Sequence, residues 1–532
     1  MNSRKSVIVV GAGLGGIATA AHLARNGYRV TVYEKNSIPG GRCGKLVRDG
    51  HHFDTGPTLF LMPEIFAQAF AGLGECMEDH LDLRRIDPTY HIHFDNGSTL
   101  ALTSDLKAMQ AQLETIERGS FGGYLRYLSE GHQHYRLSKA HLVERNFYSL
   151  PEYLCPKNLL LLLRLKALKR HFRHVGRYFK DDRLKVAFTF QDMYVGLSPY
   201  EAPAVFSLLQ YAELADGIWF PIGGMYRLVE ALVSIAESAG AQFIYSTPVQ
   251  KIDVDNGRVT GITLDDGQQI RADLVVANAD LPYVYRHLLP DEGLANRLER
   301  RKYTCSAIMF FWGVDKKCPE LKAHNLFFTD DYRQSFDYIF KDHTLPDEPS
   351  FYLHAPARVD PSLAPDGQDT LVAVIPVGHI DDATFQDWDA IQKQARQSVL
   401  QRLSMIGISD LDDHIKFEVS RTPREWHSRY HLAKGATHGL SHNLMQMGYL
   451  RPRNRHGRYR NLYFVGASTH PGTGLPTVLV SARLVTERIL QDAGVHSQHL
   501  LLRPKLPDGT TPDLIRMVST TRSTSASKES IP

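Results

Sequence analysis

Residues 6–35 constrain this chain more than any other stretch. An apolar strand, a glycine loop, a helix and a second strand follow one another without interruption (SVIVV, GAGLGG, IATAAHLARNGYRV, TVYEK). Gly11, Gly13 and Gly16 stand in the order G-x-G-x-x-G, directly after the strand and directly before the helix. Glu34 closes the second strand about twenty residues on. Each glycine has a mechanical role. Gly11 permits a tight turn, Gly13 lets backbone approach a pyrophosphate, and Gly16 lets the helix pack close to the strand. The helix N-terminus then presents free N–H groups and a partial positive charge to phosphates. An acidic side chain after the second strand holds both hydroxyls of a ribose and repels a 2′-phosphate. An ordinary glycine turn explains the glycines but not Glu34, so the segment predicts a dinucleotide-binding βαβ unit.

The residues after Glu34 indicate which dinucleotide. A second glycine pair, Gly40 and Gly41, precedes Arg42, and Asp54-Thr55-Gly56-Pro57 follows soon after. A simple nicotinamide dehydrogenase would continue into another helix and strand; a glycine-rich excursion running beside an extended cofactor suits FAD. The far end supplies a matching half. Residues 461–490, NLYFVGASTHPGTGLPTVLVSARLVTERIL, predict a strand, a Gly/Pro turn and a helix. Pro476 suits the first helical position, where its missing N–H costs nothing. Gly472 and Gly474 allow close backbone approach, and the helix aims its positive end at whatever fills the turn. For a flavin's N1/C2=O edge, that end would favour negative charge on the ring.

These strings, with PGGRCG, FDTGPT, RNFYSL, FTFQDMYVGLSPYEAPAVFSLLQYAELADGIWFPIGG and LVVANADLP, resemble the bacterial and fungal carotenoid (phytoene) desaturase family of FAD-dependent flavoproteins. The resemblance runs from about residue 5 to 492. Its N-terminal motif is shared with many flavin oxidoreductases; HPGTGLP is more particular. One departure is that fungal members tend to carry a hydrophobic C-terminal segment, which this chain lacks. The resemblance implies an α/β fold: a FAD-binding Rossmann-like domain of the glutathione-reductase/amine-oxidase type with an inserted α+β substrate domain. It also implies a cofactor-binding set of Gly11, Gly13, Gly15, Gly16, Glu34 and Lys35 at the first loop. Gly41, Arg42, Gly56 and Pro57 continue that set along the excursion. Val249 would meet the adenine through its backbone, and Gly466, Gly472, Gly474, Leu475 and Pro476 complete the set. Arg42 is read as neutralising the pyrophosphate or approaching the flavin, with a surface salt bridge as the bland alternative. Asp54 and Asp280 serve the cofactor or simply shape turns.

Composition narrows the class. A chain of 532 residues suits two or three domains, and 43% hydrophobic residues supply an ample core. A net charge of +3 is too small to point to nucleic acid. Five cysteines without C-x-x-C or metal spacing indicate reduced thiols in a cytosolic setting. Met1 to Lys5 leave no room for a signal peptide, and no window offers the roughly 18 apolar residues a membrane span needs. No histidine pattern marks a metal; His51, His52, His438 and His442 are read as surface or packed residues.

The expected organisation is a first FAD-binding part (1–105), a helical substrate or membrane-facing segment (106–225), a second FAD-binding part (226–290), a substrate domain with β-sheet (291–455), a last FAD-binding part (456–495) and a disordered tail (496–532). Within it, Leu228, Leu232 and Ile235 stripe a helix that Gly240 ends, and Val249–Val254 and Val259–Leu264 form a hairpin about Asp255-Asn256-Gly257. AIMFFWGV, SFYLHAP and TLVAVIPV predict strands of the substrate domain.

Two basic features raise the question of membranes. Leu159 to Leu163 precede Lys166, Lys169, Arg170, Arg173, Arg177 and Lys180, a pattern that fits an interfacial helix on an anionic bilayer or a lid helix with its leucines turned inward. Arg451, Arg453, Arg455, Arg458 and Arg460 fit a solvated loop or a second lipid contact. The resemblance implies a peripheral membrane protein on the cytoplasmic side, with oxygen or a quinone as final electron acceptor; an oligomer is compatible with all of this. The implied reaction moves an allylic hydride from an apolar polyene to the flavin, and a proton then leaves the adjacent carbon. Phe188, Phe190, Tyr194, Phe206, Tyr211, Trp219 and Phe220 are candidates for the tunnel wall, and no catalytic base stands out. Alternatives keep the fold but change the chemistry: a saturase, an isomerase, a desaturase of another lipid, an amine oxidase, or a carrier of prenylated proteins that binds no FAD.

Overall fold

The structure is a computed structural model describing residues 4–289 and 291–494; the tail expected to be disordered lies outside the described residues. Strands Ser6–Val10 and Arg29–Tyr33 pair in parallel around helix Leu14–Arg25. They form the middle of a five-stranded parallel sheet ordered Leu462–Phe464, Leu274–Ala277, Ser6–Val10, Arg29–Tyr33, Gln242–Ile244. Helices cover one face and a three-stranded meander the other, which is why SVIVV and LVVA are continuously apolar rather than alternating. Helix Leu14–Arg25 buries every residue but Arg25 and packs between helices Tyr226–Ser238 and Leu475–Asp492. The sheet thus draws on the beginning, the middle and the end of the chain.

The predicted hairpin is present: Val249–Asp255 and Arg258–Leu264 pair antiparallel. Asn256 and Gly257 both take positive φ, 48° and 71°, the twist a two-residue turn requires. The predicted substrate-domain strands are Ser306–Val314, Phe351–His354 and Asp369–Val377, members of a seven-stranded mixed sheet. In Ser306–Val314, Ile308, Phe310 and Trp312 face helix Trp388–Met405, while Met309 and Phe311 face the opposite side, the period of two a strand imposes. The two outermost strands of this sheet on one side are Tyr90–Phe94 and Thr99–Leu102, from the stretch expected to belong to the first cofactor segment. They join it because Tyr90–Phe94 pairs in parallel with His324–Phe328.

Helices dominate residues 106–225, and the leucine run lies in helix Pro156–Arg164. A single interfacial helix continuing into the basic stretch is not formed: Lys166 takes φ +52° and a new short helix begins at His171. The leucines divide between core and surface. Leu161 and Leu165 pack inward, whereas Leu159, Leu160 and Leu163 are 46–62% exposed. Arg451 departs from the solvated-loop reading. It is fully buried, and its guanidinium donates to the carbonyls of Leu440, Ser441, Gln446, Ala467 and Thr469. It braces the loop that leads into the C-terminal helix, and burial lowers its pKa to about 9.

Candidate functional site

The first loop is a cradle made of backbone. Gly11 has φ +97°, and its N–H donates to Tyr33 O at 2.7 Å. A Cβ on Gly16 would stand 2.2 Å from Gly11 O, so only glycine lets this helix start so close to the strand. The second glycine pair docks onto the first: Gly40 N–H donates to Ala12 O at 2.8 Å, and Gly41 lies against Gly13. A Cβ on Gly56 would strike Arg42 O at 2.0 Å, which brings the two excursion motifs together. Glu34 is buried; one carboxylate oxygen accepts the Ala12 N–H at 2.7 Å and the other accepts from Asn36.

One cavity of about 750 Å³, lined mainly by apolar atoms, passes through this cradle and far beyond it. Gly11, Gly13, Gly15, Glu34 and Lys35 line it, as do Gly41, Arg42, Gly56, Pro57 and Val249, and at the other turn Gly466, Gly474, Leu475 and Pro476. Two of the residues assigned to the cofactor do not line it. Gly16 acts by the helix–strand contact described above. Gly472 packs against His442, whose Nε2 a Cβ there would meet at 2.4 Å. Helices Leu14–Arg25 and Leu475–Asp492 both begin at glycines without a side-chain cap, and both N-termini open into this cavity. Unpaired N–H groups and the positive ends of two helix dipoles therefore converge on one space, an arrangement made for an anion. Arg42 adds a cation that makes no close ion pair among the described residues, although the Asp280 carboxylate acts on it; its Nη1 donates to Thr437 O at 2.7 Å. It is not a surface salt bridge. These features fit a dinucleotide that carries a pyrophosphate.

Asp54 and Asp280 have structural partners. Asp54 accepts the Met225 and Tyr226 N–H groups that open helix Tyr226–Ser238, and burial raises its pKa to about 7 against those bonds. Asp280 lines the cavity while it accepts from Ala433 N–H and Ser468 Oγ. His438 and His442, expected to be surface or packed, stand in the cavity wall, His442 buried and His438 half-buried; desolvation and the nearby Arg42 lower the His438 pKa to about 4. No feature of the sequence marks them as wall residues.

Beyond the cradle the cavity becomes a tunnel between the mixed sheet and the helical segment. Of the seven aromatic candidates, Phe190, Tyr194 and Phe206 line it, whereas Phe188, Tyr211, Trp219 and Phe220 do not. Phe188 stacks on Phe179 within the core instead. Tyr90, Phe328, Tyr332, Phe336 and Tyr352 complete the aromatic wall without any signal in the sequence, because strands and a helix distant in the chain meet there. The tunnel also touches Leu162, Leu165 and Ala167, under the exposed leucines Leu159, Leu160 and Leu163. Around them Lys157, Arg164, Lys169, Arg170, Arg173 and Arg177 are exposed and have no ion-pair partner among the described residues.

Comparison with known proteins gives a consistent picture. The model of the flavin containing amine oxidoreductases matches residues 14–490. The chain is 45% identical over 508 residues to a zeta-carotene-forming phytoene desaturase of Myxococcus xanthus, covering 95% of this chain and 97% of that one. It is 42% identical to a phytoene desaturase of Fusarium fujikuroi, over 93% and 91% of the two chains. Among solved structures, putrescine oxidase bound to putrescine aligns with a TM-score of 0.61 at 15% identity, over 93% of this chain and 99% of that one, a likeness of fold.

Proposed function

The chain belongs to the carotenoid desaturases within the flavin containing amine oxidoreductases and is a FAD-dependent oxidoreductase; we propose that it dehydrogenates a phytoene-like polyene to a more conjugated carotenoid. The observation that carries this reading is the continuity of the cavity. A backbone cradle for a dinucleotide opens directly into a long aromatic and aliphatic tunnel, the shape and polarity a linear hydrocarbon needs. A polar amine would meet few hydrogen-bonding partners along that wall.

The residues present suit FAD. Glu34 would hold the adenosine ribose, Val249 the adenine, Gly13 and Gly15 with the helix N-terminus the pyrophosphate. Arg42, Gly41, Gly56 and Pro57 would run along the cofactor towards the flavin, and Gly466, Gly474, Leu475 and Pro476 would meet the ring. When bound, FAD supplies the hydride acceptor. The chain does the rest. Its apolar tunnel excludes water, and the faces of Tyr90, Phe190, Phe328 and Tyr332 offer negative quadrupoles to the delocalised cation left when hydride departs; one such contact is worth about 0.5–2 kcal/mol. The exposed leucines ringed by unpaired cations would rest on an anionic cytoplasmic leaflet, so that substrate enters from the lipid beside Leu162 and Leu165. Among the described residues no helix is long and apolar enough to cross a membrane; the contact proposed is docking at the surface. Electrons would pass onward to oxygen or to a quinone in the same bilayer.

Expression in a host that accumulates phytoene tests this. Coloured products absorbing at longer wavelength are expected, and their spectral fine structure counts the new double bonds. Unchanged phytoene beside a FAD-loaded protein would overturn the substrate.

A further inference from the structure

The tunnel wall is mostly apolar, with scattered polar side chains such as Ser138, Lys139 and Ser335, and one polar cluster adjoins the cofactor cradle. There the hydroxyls of Tyr90, Tyr194 and Tyr352 gather, all three on residues that line the cavity. Tyr352 O–H lies 2.9 Å from Thr58 Oγ1, which directly follows Gly56-Pro57, so this polar spot sits where the cofactor cradle meets the tunnel. Tyr90 stands beside Tyr352 with ring centroids 6.1 Å apart. Behind Tyr194 lies Glu213, fully buried and outside the cavity lining. Its Oε2 is 2.8 Å from Tyr194 Oη, and Tyr194 Oη is 2.6 Å from Tyr90 Oη. A tyrosine hydroxyl has one hydrogen. When Glu213 is ionised, the carboxylate takes the Tyr194 proton, the stronger charge-assisted bond, and the Tyr90 proton bridges the 2.6 Å contact. The Tyr90 oxygen is then the free end of a hydrogen-bonded row that leads from the tunnel to a carboxylate.

We propose that this row is the proton exit of the desaturation, with Tyr90 as the catalytic residue facing the polyene and Glu213 as the terminal acceptor that acts through Tyr194. The proposal rests on the desaturase reading above. After hydride has left to the flavin, the adjacent C–H bond breaks and its electron pair becomes the new C=C bond. The proton forms an O–H bond on Tyr90, the Tyr90 proton moves to Tyr194, and the Tyr194 proton moves to Glu213 Oε2, giving a neutral acid. The oxidant is FAD; the row carries protons only.

The surroundings of Glu213 suit an acceptor. Thr89 and Tyr90, at the start of the outer strand, face it, as do Gln191 and Tyr194 on the 190–195 turn and Tyr124 on helix Ser120–Ser138. No lysine or arginine forms an ion pair with it among the described residues. Burial pushes its pKa up to about 7, against the lowering bonds from Tyr194, Gln191 and Thr89. Its charge therefore changes near neutral pH, the poise that general-base catalysis favours.

The test uses the full-length holoenzyme with phytoene in phosphatidylcholine vesicles. Wild-type kcat is expected to fall as pH drops through about 7. Glu213→Gln should keep its flavin spectrum and a KM within about twofold, lose kcat by about 100-fold and lose the acid limb. Tyr90→Phe should lose rate similarly, and Glu213→Asp should recover part of the rate together with the limb. A Glu213→Gln variant with wild-type kcat, with the acid limb retained, or with only KM raised would overturn the proposal. A substrate-free measurement judges the acceptor even if the wild type fails to convert phytoene, a failure that would sink the desaturase reading instead. Infrared difference spectra of the wild-type holoprotein should gain more carboxylic-acid C=O intensity as pH falls through about 7 than those of Glu213→Gln, in which Asp54 still contributes. Equal band intensity in the wild type and in Glu213→Gln overturns the acceptor.

Discussion

The two halves of the cavity are built on opposite plans. The cofactor half is shaped by main chain: glycines at Gly11, Gly16 and Gly56 where a Cβ would strike a backbone or side-chain atom, and two uncapped helix ends. The tunnel half is shaped by side chains from Tyr90, Phe190, Tyr332 and Tyr352, which lie on separate strands and helices and meet only in the fold. Main-chain geometry tolerates almost no substitution, whereas side-chain walls re-pack at modest cost. The first plan writes a local motif and the second writes none.

Substitutions should separate the halves sharply. Gly16→Ala is the largest break: its Cβ lands on the Gly11 carbonyl oxygen with the Asn278 side chain close by, so the purified protein is expected to lack flavin absorbance. A Gly16→Ala protein with a full complement of FAD would erase the contrast. Tyr352→Phe comes next. It removes a hydroxyl bonded to Thr58 and to His324 Nδ1 at 2.7 Å, leaving buried polar atoms unpaired at about 1–3 kcal/mol. Lower thermal stability with unchanged flavin content is expected; loss of flavin would show that the halves are not separable.

The smallest effect concerns pH and has the opposite sign. Glu213 has a folded pKa above its unfolded value, so the native state binds the extra proton between about 4.5 and 7. The Glu213 contribution to native stability therefore rises as pH falls through about 7, and the ionised carboxylate is a net burden above it. Glu213→Gln is expected to raise Tm at pH 8 and to change it little at pH 5, measured by calorimetry on the holoprotein. A Tm lowered at both pH values would mark Glu213 as a plain structural group.

The same contrast decides what is legible in the sequence. The βαβ unit, the hairpin at Asn256-Gly257 and the strands of residues 306–377 are visible there, because glycine spacing, turn chemistry and apolar runs are local. Gly11, Glu34, Arg42 and Gly474 stand out in the sequence and line the cavity for the same reason. Arg451 does not, since a run of arginines carries no mark of which one turns inward to five carbonyls. Tyr90 is invisible as a wall residue, because its strand reaches the tunnel only by pairing with residues 324–328, more than two hundred positions later.

The parallel sheet has a consequence in time. Its central strand, Ser6–Val10, precedes one edge strand, Leu462–Phe464, and the helix at Leu475–Asp492 by more than 450 positions. A ribosome adding roughly 5–20 residues per second completes everything between them first, over tens of seconds. The glycine loop therefore waits, synthesised but without its second helix end, while the whole tunnel half emerges. A nascent chain stalled before residue 462 lacks the second helix end that opens into the cavity.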